Sequence, residues 1–146
     1  MGYNFDMYGE FKFNKEIPQQ YKEILLKMNE NEQMGKEWYR EKFKNDNICA
    51  VWCPWKYNEE GNYLEPIDYV DECNHNYWFI DWLAWIIESI CIPAGLTLNG
   101  EGNWAQDTGH LSITDNKITT QGVFYGSNDY KKTIRRLNKI LKESKN

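Results

Sequence analysis

Apolar residues alternate with polar ones near the start of the chain, at every second position between residues 3 and 13. They are Tyr3, Phe5, Met7, Phe11 and Phe13. A period of two is typical of a β-strand with one buried face. Gly9 interrupts the alternation and indicates a bulge or the close approach of another backbone. The chain is therefore predicted to open with a strand.

Four later segments have the spacing of helices. Pro18 suits the first turn of a helix that runs to about Met28 with one apolar stripe. A short helix is predicted over residues 37–44. Apolar residues of segment 77–91 cover most of a helical wheel, which indicates a helix buried on more than one side. A final helix is predicted from about Asn128 to Lys142, with its apolar stripe opposite a basic face.

The remaining patterned segments are predicted strands. Residues 48–55 are rich in β-branched and aromatic side chains, and residues 56–76 are predicted to be a long loop or hairpin. Segments 96–98, 110–114 and 117–124 follow as strands, the last two joined by a tight turn at Asp115 and Asn116. The order β-α-β-α-β-β-β-α predicts an α+β domain over residues 1–146, with about three helices packed on a mostly antiparallel sheet.

The composition supports a folded domain. The 146 residues are 41% hydrophobic and 16% aromatic, with seven Trp, so a sizeable core can form. The start lacks the pattern of an export signal, and no stretch reaches the roughly 18 apolar residues of a membrane span. We therefore expect a cytoplasmic protein that does not bind membranes and whose four Cys are reduced thiols.

Charge is strongly polarised along the sequence. Residues 57–116 contain no Lys or Arg and eleven Asp or Glu, whereas residues 129–146 contain seven basic residues and two acidic ones. The acidic span repels phosphate, so direct nucleic-acid binding is not expected of it. The basic C-terminal helix could bind nucleic acid, but we expect it to have a solvated face or to dock against the acidic span.

An acidic, aromatic surface is the main candidate binding site. Aromatic side chains ringed by carboxylates can anchor and select a basic partner protein, although acidic residues can also serve only to keep an aromatic-rich protein in solution. The tryptophans at the predicted strand end and in the predicted loop are expected to be partly exposed. The predicted partner-binding residues are Trp55, Glu59, Glu60, Glu65, Asp68, Asp71, Glu72 and Trp104.

Four other groups of residues suggest a chemical function. Gly100-Glu101-Gly102 lacks the third glycine of a phosphate loop and is interpreted as a turn. Zinc could be bound by a Cys and His set, but its spacing is not that of structural zinc sites, so buried thiols are favoured. That set is Cys49, Cys53, Cys73 and His75. No metal or cofactor is predicted.

Asp107, His110 and Ser112 are close enough in sequence to suggest a catalytic triad. If His110 begins a strand, Ser112 lies on the same face with no strained turn to present it, so surface polar residues of a hairpin are favoured. Glu101 and Asp107 could likewise form a carboxylate pair for acid and base catalysis, or bind a hard cation together with Asp115.

Five short motifs lie near the two ends of the chain: Gly2-Tyr3, Gly9-Glu10-Phe11, Leu98-Asn99-Gly100-Glu101, Asp107-Thr108-Gly109-His110-Leu111 and Asp115-Asn116-Lys117-Ile118. They resemble motifs of uncharacterised small proteins from phages and their bacterial hosts. The resemblance implies a small accessory protein of a mobile element, with no known reaction. Some phage proteins of this size and acidity inhibit host defence complexes such as CRISPR effectors.

The sequence as a whole predicts a non-enzymatic inhibitor that occludes a basic, nucleic-acid-handling host protein. Carboxylates spaced along a loop would replace nucleic-acid phosphates in a positive channel. Two alternatives remain open: an immunity protein that neutralises a basic toxin, and a small hydrolase-like enzyme that uses Asp107 and His110, with Glu101.

Overall fold

The computed structural model describes residues 7–28, 53–66, 79–104, 109–122 and 130–144. Within these ranges, six strands form one sheet in the order β2-β3-β1-β4-β5-β6, and each adjacent pair is antiparallel. The α+β class with an antiparallel sheet is therefore confirmed. The strands are β1 (Met7–Phe13), β2 (Trp55–Asn58), β3 (Tyr63–Pro66), β4 (Leu98–Trp104), β5 (Gly109–Thr114) and β6 (Lys117–Gln121).

Three helical segments accompany the sheet in the described part of the chain. They are α1 (Gln19–Lys27), α2 (Phe79–Ile86) and α3 (Tyr130–Ser144). Helix α2 continues as a π-helical turn, Ile87–Cys91, and as a short helical stretch, Ile92–Ala94, that ends at Gly95 in the left-handed conformation (φ 71°). Every residue of α2 is buried, as its apolar helical wheel predicts.

The helices and one face of the sheet share a single hydrophobic core. Strand residues alternate between this face and the opposite one, so that β2 buries Trp55 and Tyr57 but exposes Lys56. Helix α3 contributes Leu137, which is fully buried, and the partly buried Tyr130, Ile134 and Leu141 of the predicted apolar stripe pack around it. The opposite face of the sheet carries polar side chains.

The contact between β1 and β4 depends on glycine. A Cβ atom on Gly9 would lie 2.8 Å from the Cα of Gly102, so the predicted close approach at Gly9 is confirmed. Gly100 and Gly102 face β1 from β4, and the ring of Phe11 lies within 3.4 Å of a Cβ built on Gly102. The Gly100-Glu101-Gly102 segment is therefore the middle of a strand, and its interpretation as a turn is wrong.

Several element boundaries differ from those predicted. Trp55 begins β2, whereas the sequence pattern placed it at the end of a strand over residues 48–55; residues 48–52 lie outside the described ranges. The predicted loop or hairpin over residues 56–76 is a hairpin where it is described, up to Pro66. Strand β4 continues to Trp104 because it pairs with β1 along its whole length. The helix predicted over residues 37–44 also lies outside the described ranges.

Asparagine side chains hold the connections in place. Asp115 (φ 47°) and Asn116 (φ 74°) form the predicted tight turn between β5 and β6. The side chain of Asn116 accepts a hydrogen bond from the backbone N–H of Leu98 (2.8 Å) and donates one to the carbonyl of Leu96 (3.0 Å). The turn thereby fixes the start of β4. Among the described helices, none has both the length and the apolar character that a membrane crossing requires.

Candidate functional site

The tip of the β2–β3 hairpin is held by hydrogen bonds from two asparagine side chains. The Asn58 side chain accepts a hydrogen bond from the Gly61 N–H (3.0 Å). Asn62, with a φ of 57°, accepts a hydrogen bond from the Tyr57 hydroxyl (2.6 Å) and donates one to the carbonyl of Lys15 (2.9 Å). The Asn62 carbonyl also accepts a hydrogen bond from the N–H of Phe13 (3.1 Å). The hairpin tip is thus held to the end of β1.

Carboxylates converge on Tyr63 at the base of this tip. Partial burial raises the pKa of the Tyr63 hydroxyl, and the negative charges of Glu65, Glu10 and Glu60 raise that pKa further. The Asn58 amide bridges two of these groups, since it donates to the Tyr63 hydroxyl (3.0 Å) and to the Glu65 carboxylate (3.2 Å). We call the group formed by Tyr63, Glu10, Glu60 and Glu65 the Tyr63 surface.

The predicted role of Trp55 is wrong. Its side chain is fully buried, and its indole Nε1 donates a hydrogen bond to the carbonyl of Phe79 (2.8 Å). The ring contacts Phe11 and Phe79 edge to face, with centroids 5.4 and 5.7 Å apart. Trp55 lies on the same face of β2 as Tyr57, and this face packs on the core. Trp55 therefore belongs to the core and not to a binding surface.

The other predicted partner-binding residues lie in different parts of the structure. Glu59 and Glu60 are exposed at the hairpin tip, and the Glu59 carboxylate lies 3.6 Å from the Lys22 ammonium of α1. Glu65 is half-buried. Trp104 ends β4, paired in register with Met7 and Gly109. Asp68, Asp71 and Glu72 lie outside the described residues.

Lysines border the Tyr63 surface. Lys12 of β1 pairs in register with Tyr63, and Lys56 of β2 pairs in register with Glu65. Both lysines are exposed. Positive and negative side chains are therefore interspersed over the hairpin and the neighbouring β1, where the carboxylates are those of Glu10, Glu59, Glu60 and Glu65.

A second polar cluster lies farther along the open face of the sheet. His110 of β5 pairs with Asn103 of β4, and its Nδ1 is 2.6 Å from the Asn103 side-chain oxygen. The His110 Nε2 is 3.6 Å from a carboxylate oxygen of Glu101. Ser112 pairs in register with Glu101, so the sheet brings Glu101, His110 and Ser112 to one face. Asp107 lies outside the described residues.

The cysteines in the described ranges belong to the core. Cys53 and Cys91 are reduced and buried, and the Cys53 thiol donates a hydrogen bond to the carbonyl of Trp55 (3.5 Å). Burial raises the pKa of Cys53 far above its usual range and raises that of Cys91 to about 12. The described residues contain no His, Cys, Asp and Glu group suited to a metal ion, while Cys49, Cys73 and His75 lie outside them.

We expect neither Cys53 nor Cys91 to react with a thiol reagent in the folded protein. A variant with Cys49→Ser and Cys73→Ser isolates these two thiols, and Ellman's reagent counts the reactive ones before and after unfolding in guanidinium chloride. Buried thiols in the protonated form are poor nucleophiles, so the reaction should follow unfolding. Rapid modification of either thiol in the native protein would contradict its burial.

Helix α3 makes polar contacts with α2 and with the π-helical turn that follows α2. The Arg136 guanidinium donates two hydrogen bonds to the Glu88 carboxylate (2.9 and 3.2 Å). The Thr133 hydroxyl donates a hydrogen bond to the buried Asp81 carboxylate (2.6 Å). Of the two arrangements expected for the basic helix, docking against the acidic span is seen at Arg136, and a solvated face is seen at the other basic residues of α3.

No family model matches this chain, and neither the curated proteins nor the solved structures include a match. The candidate sites therefore depend on geometry alone. Sequence reasoning missed Tyr63 and Glu10 as members of a charged surface. Glu10 occupies an outward position in the alternating pattern of β1, which could have indicated its exposure, but its proximity to Tyr63 depends on the pairing of β1 with β3.

Proposed function

We propose that this protein is a non-enzymatic binding protein that presents the Tyr63 surface to a basic partner protein. The observation that carries the proposal is the cluster around Tyr63: the Asn58 amide donates hydrogen bonds to the Tyr63 hydroxyl and to the Glu65 carboxylate, and the negative charges of Glu10 and Glu60 also act on this tyrosine. Tyrosine is enriched at interfaces because its ring supplies buried area and its hydroxyl a hydrogen bond. Carboxylates around it would select a cationic partner and speed its association.

The hydrogen bonds at the hairpin tip support the same proposal. Asn58 and Asn62 fix the tip through hydrogen bonds to Gly61, Tyr57 and Lys15. A surface already held in its bound conformation loses less conformational entropy on association. A partner with a positive channel, such as a nucleic-acid-handling defence protein of a bacterial host, would accept these carboxylates in place of phosphates. Inhibition by occlusion is the form of this function that we favour.

The test compares two doubly substituted proteins that carry the same change in net charge. In the first, Glu10→Lys and Glu60→Lys reverse two exposed carboxylates of the Tyr63 surface. In the second, Glu23→Lys and Glu143→Lys reverse two exposed carboxylates of α1 and α3. Wild type and both variants are immobilised and used to capture proteins from host lysate at low and moderate salt, with the captured proteins identified by mass.

We expect the wild type and the helix variant to retain a basic protein that the Tyr63 variant loses. The affinity for that protein, measured on the purified pair, should fall at least about tenfold in the Tyr63 variant at low salt, and the difference should shrink as salt screens the charges. Equal capture by all three proteins would contradict the proposal. Adjacency of the gene to a toxin gene would favour the alternative of an immunity protein that uses the same surface.

An enzymatic role is the second candidate, and the contact between the His110 ring and the Glu101 carboxylate favours it. A carboxylate beside one ring nitrogen and an amide oxygen beside the other can orient an imidazole for proton transfer. Loss of a turnover in a His110→Ala variant that keeps its melting temperature would support this candidate.

A further inference from the structure

Helix α3 has a basic face that the fold does not use. Its apolar stripe packs on the core, and Leu137 at the centre of that stripe is fully buried. Five basic side chains lie on the other side of the helix. They are Lys131, Lys132, Arg135, Lys139 and Lys142, and all five are exposed. No described residue forms an ion pair with any of them, whereas Arg136 pairs with Glu88.

These five residues form one continuous stripe along the helix. At 100° per residue, all five fall within an arc of about 100°, and from Lys131 to Lys142 they extend over about 16 Å of helix axis. Such a stripe concentrates positive charge on a narrow convex ridge. Residues 129–146 contain seven basic residues and two acidic ones, so the ridge is positive although the whole protein carries a charge of −5.

We infer that the basic face of α3 binds the phosphate backbone of double-stranded DNA. A duplex carries phosphates at about 3.4 Å intervals along each strand, so a stripe of 16 Å can reach several of them. Its major groove, about 12 Å wide, admits an α-helix. The exposed side chains of the stripe are Lys and Arg, which contact phosphates without selecting a sequence.

The way α3 packs argues against a membrane as the binding partner. An amphipathic helix binds a bilayer by burying its apolar face among the lipids, and here that face is already buried against the sheet and α2. Only charge would remain for lipid binding. The convex ridge that carries these charges fits the groove of a DNA duplex better than the flat surface of a membrane. This inference is independent of the proposed function, because the Tyr63 surface and α3 share no residues.

The test measures the binding of the full chain to a fluorescently labelled DNA duplex of mixed sequence by anisotropy. With about four phosphates contacted, the affinity should fall about 100-fold between 50 and 200 mM salt. Substituting Lys131→Gln, Arg135→Gln and Lys139→Gln should weaken binding at 50 mM salt at least about tenfold and reduce the salt dependence accordingly. Circular dichroism checks that the variant remains helical.

A matched control removes the same charge elsewhere. Lys12→Gln, Lys56→Gln and Lys117→Gln change three exposed lysines on the sheet and should leave most of the DNA affinity intact. Vesicles of phosphatidylcholine with phosphatidylserine test the membrane alternative. The inference is overturned if the wild type does not bind the duplex at 50 mM salt, if it binds the vesicles instead, or if both variants lose affinity equally.

Discussion

Replacing Trp55 with alanine is expected to lower the free energy of unfolding by about 3–5 kcal/mol. Trp55 is fully buried at the start of β2, between the rings of Phe11 and Phe79. Its removal would leave a cavity, and the carbonyl of Phe79 would lose the hydrogen bond from the indole. Urea denaturation followed by circular dichroism measures the change.

A Trp55→Phe variant separates the two contributions. Phenylalanine keeps part of the ring packing but cannot donate to Phe79, so we expect a smaller loss than with alanine. A loss below about 1 kcal/mol for Trp55→Ala would be typical of a surface position and would contradict the burial of this side chain. This comparison also decides whether Trp55 can belong to a binding surface.

Replacing Gly100 with alanine should cost about 3 kcal/mol, the upper part of the range for overpacking a close-packed site. A Cβ at this position would overlap the carbonyl oxygen of Glu10 and would lie 2.8 Å from the Cα of Phe11. Both atoms belong to the backbone of β1, so the sheet would have to open at its centre to accommodate the methyl group. Thermal unfolding and urea denaturation both report this loss.

Gly95→Ala is the matched control for Gly100. Gly95 has a φ of 71°, but a Cβ there would meet no atom within 4 Å. Its substitution therefore costs only backbone strain, about 1–2 kcal/mol. If Gly100→Ala is no more destabilising than Gly95→Ala, the close approach of β1 and β4 is not as tight as the structure shows.

Trp55 and Gly100 also bear on function, because both contact β1 and hold it in place. Strand β1 lies between β3 and β4 and positions Glu10 on the open face, where Glu10 acts on Tyr63. A variant that separates β1 from β4 should therefore disturb the Tyr63 surface as well as the core. Binding experiments on this surface should use substitutions at exposed positions such as Glu10 and Glu60, which change charge without opening the sheet.

Local sequence pattern determined most of the secondary structure. The helices begin and end near the predicted residues because Pro18, Gly95 and the apolar stripes act within one or two turns. The turn at Asp115 and Asn116 is likewise a local property, since short polar side chains tolerate positive φ. The α+β class follows from the order of these elements.

The sequence pattern failed where residues act through distant partners. Gly100 and Gly102 of β4 have no side chain, so the sequence does not show which face of this strand is buried. The ring of Phe11, from the neighbouring β1, covers Gly102. The segment therefore resembles a turn in sequence, although it is a central strand. In the sequence, Trp55 has the position of a strand end beside Pro54. Its burial and its contacts with Phe11 and Phe79, which are distant in sequence, show that it belongs to the core.

The sequence by itself determined the polarity of this protein: an acidic, aromatic middle and a basic amphipathic helix at the end. Tertiary structure decided which charges are available to a partner. Pairing of β1 with β3 and β4 brought Glu10 near Tyr63, and the docking of α3 engaged Arg136 with Glu88 while leaving five other cations exposed. Charge is a sum over residues and can be counted along a chain. Proximity in space depends on strand pairing and helix packing between segments that are far apart in sequence.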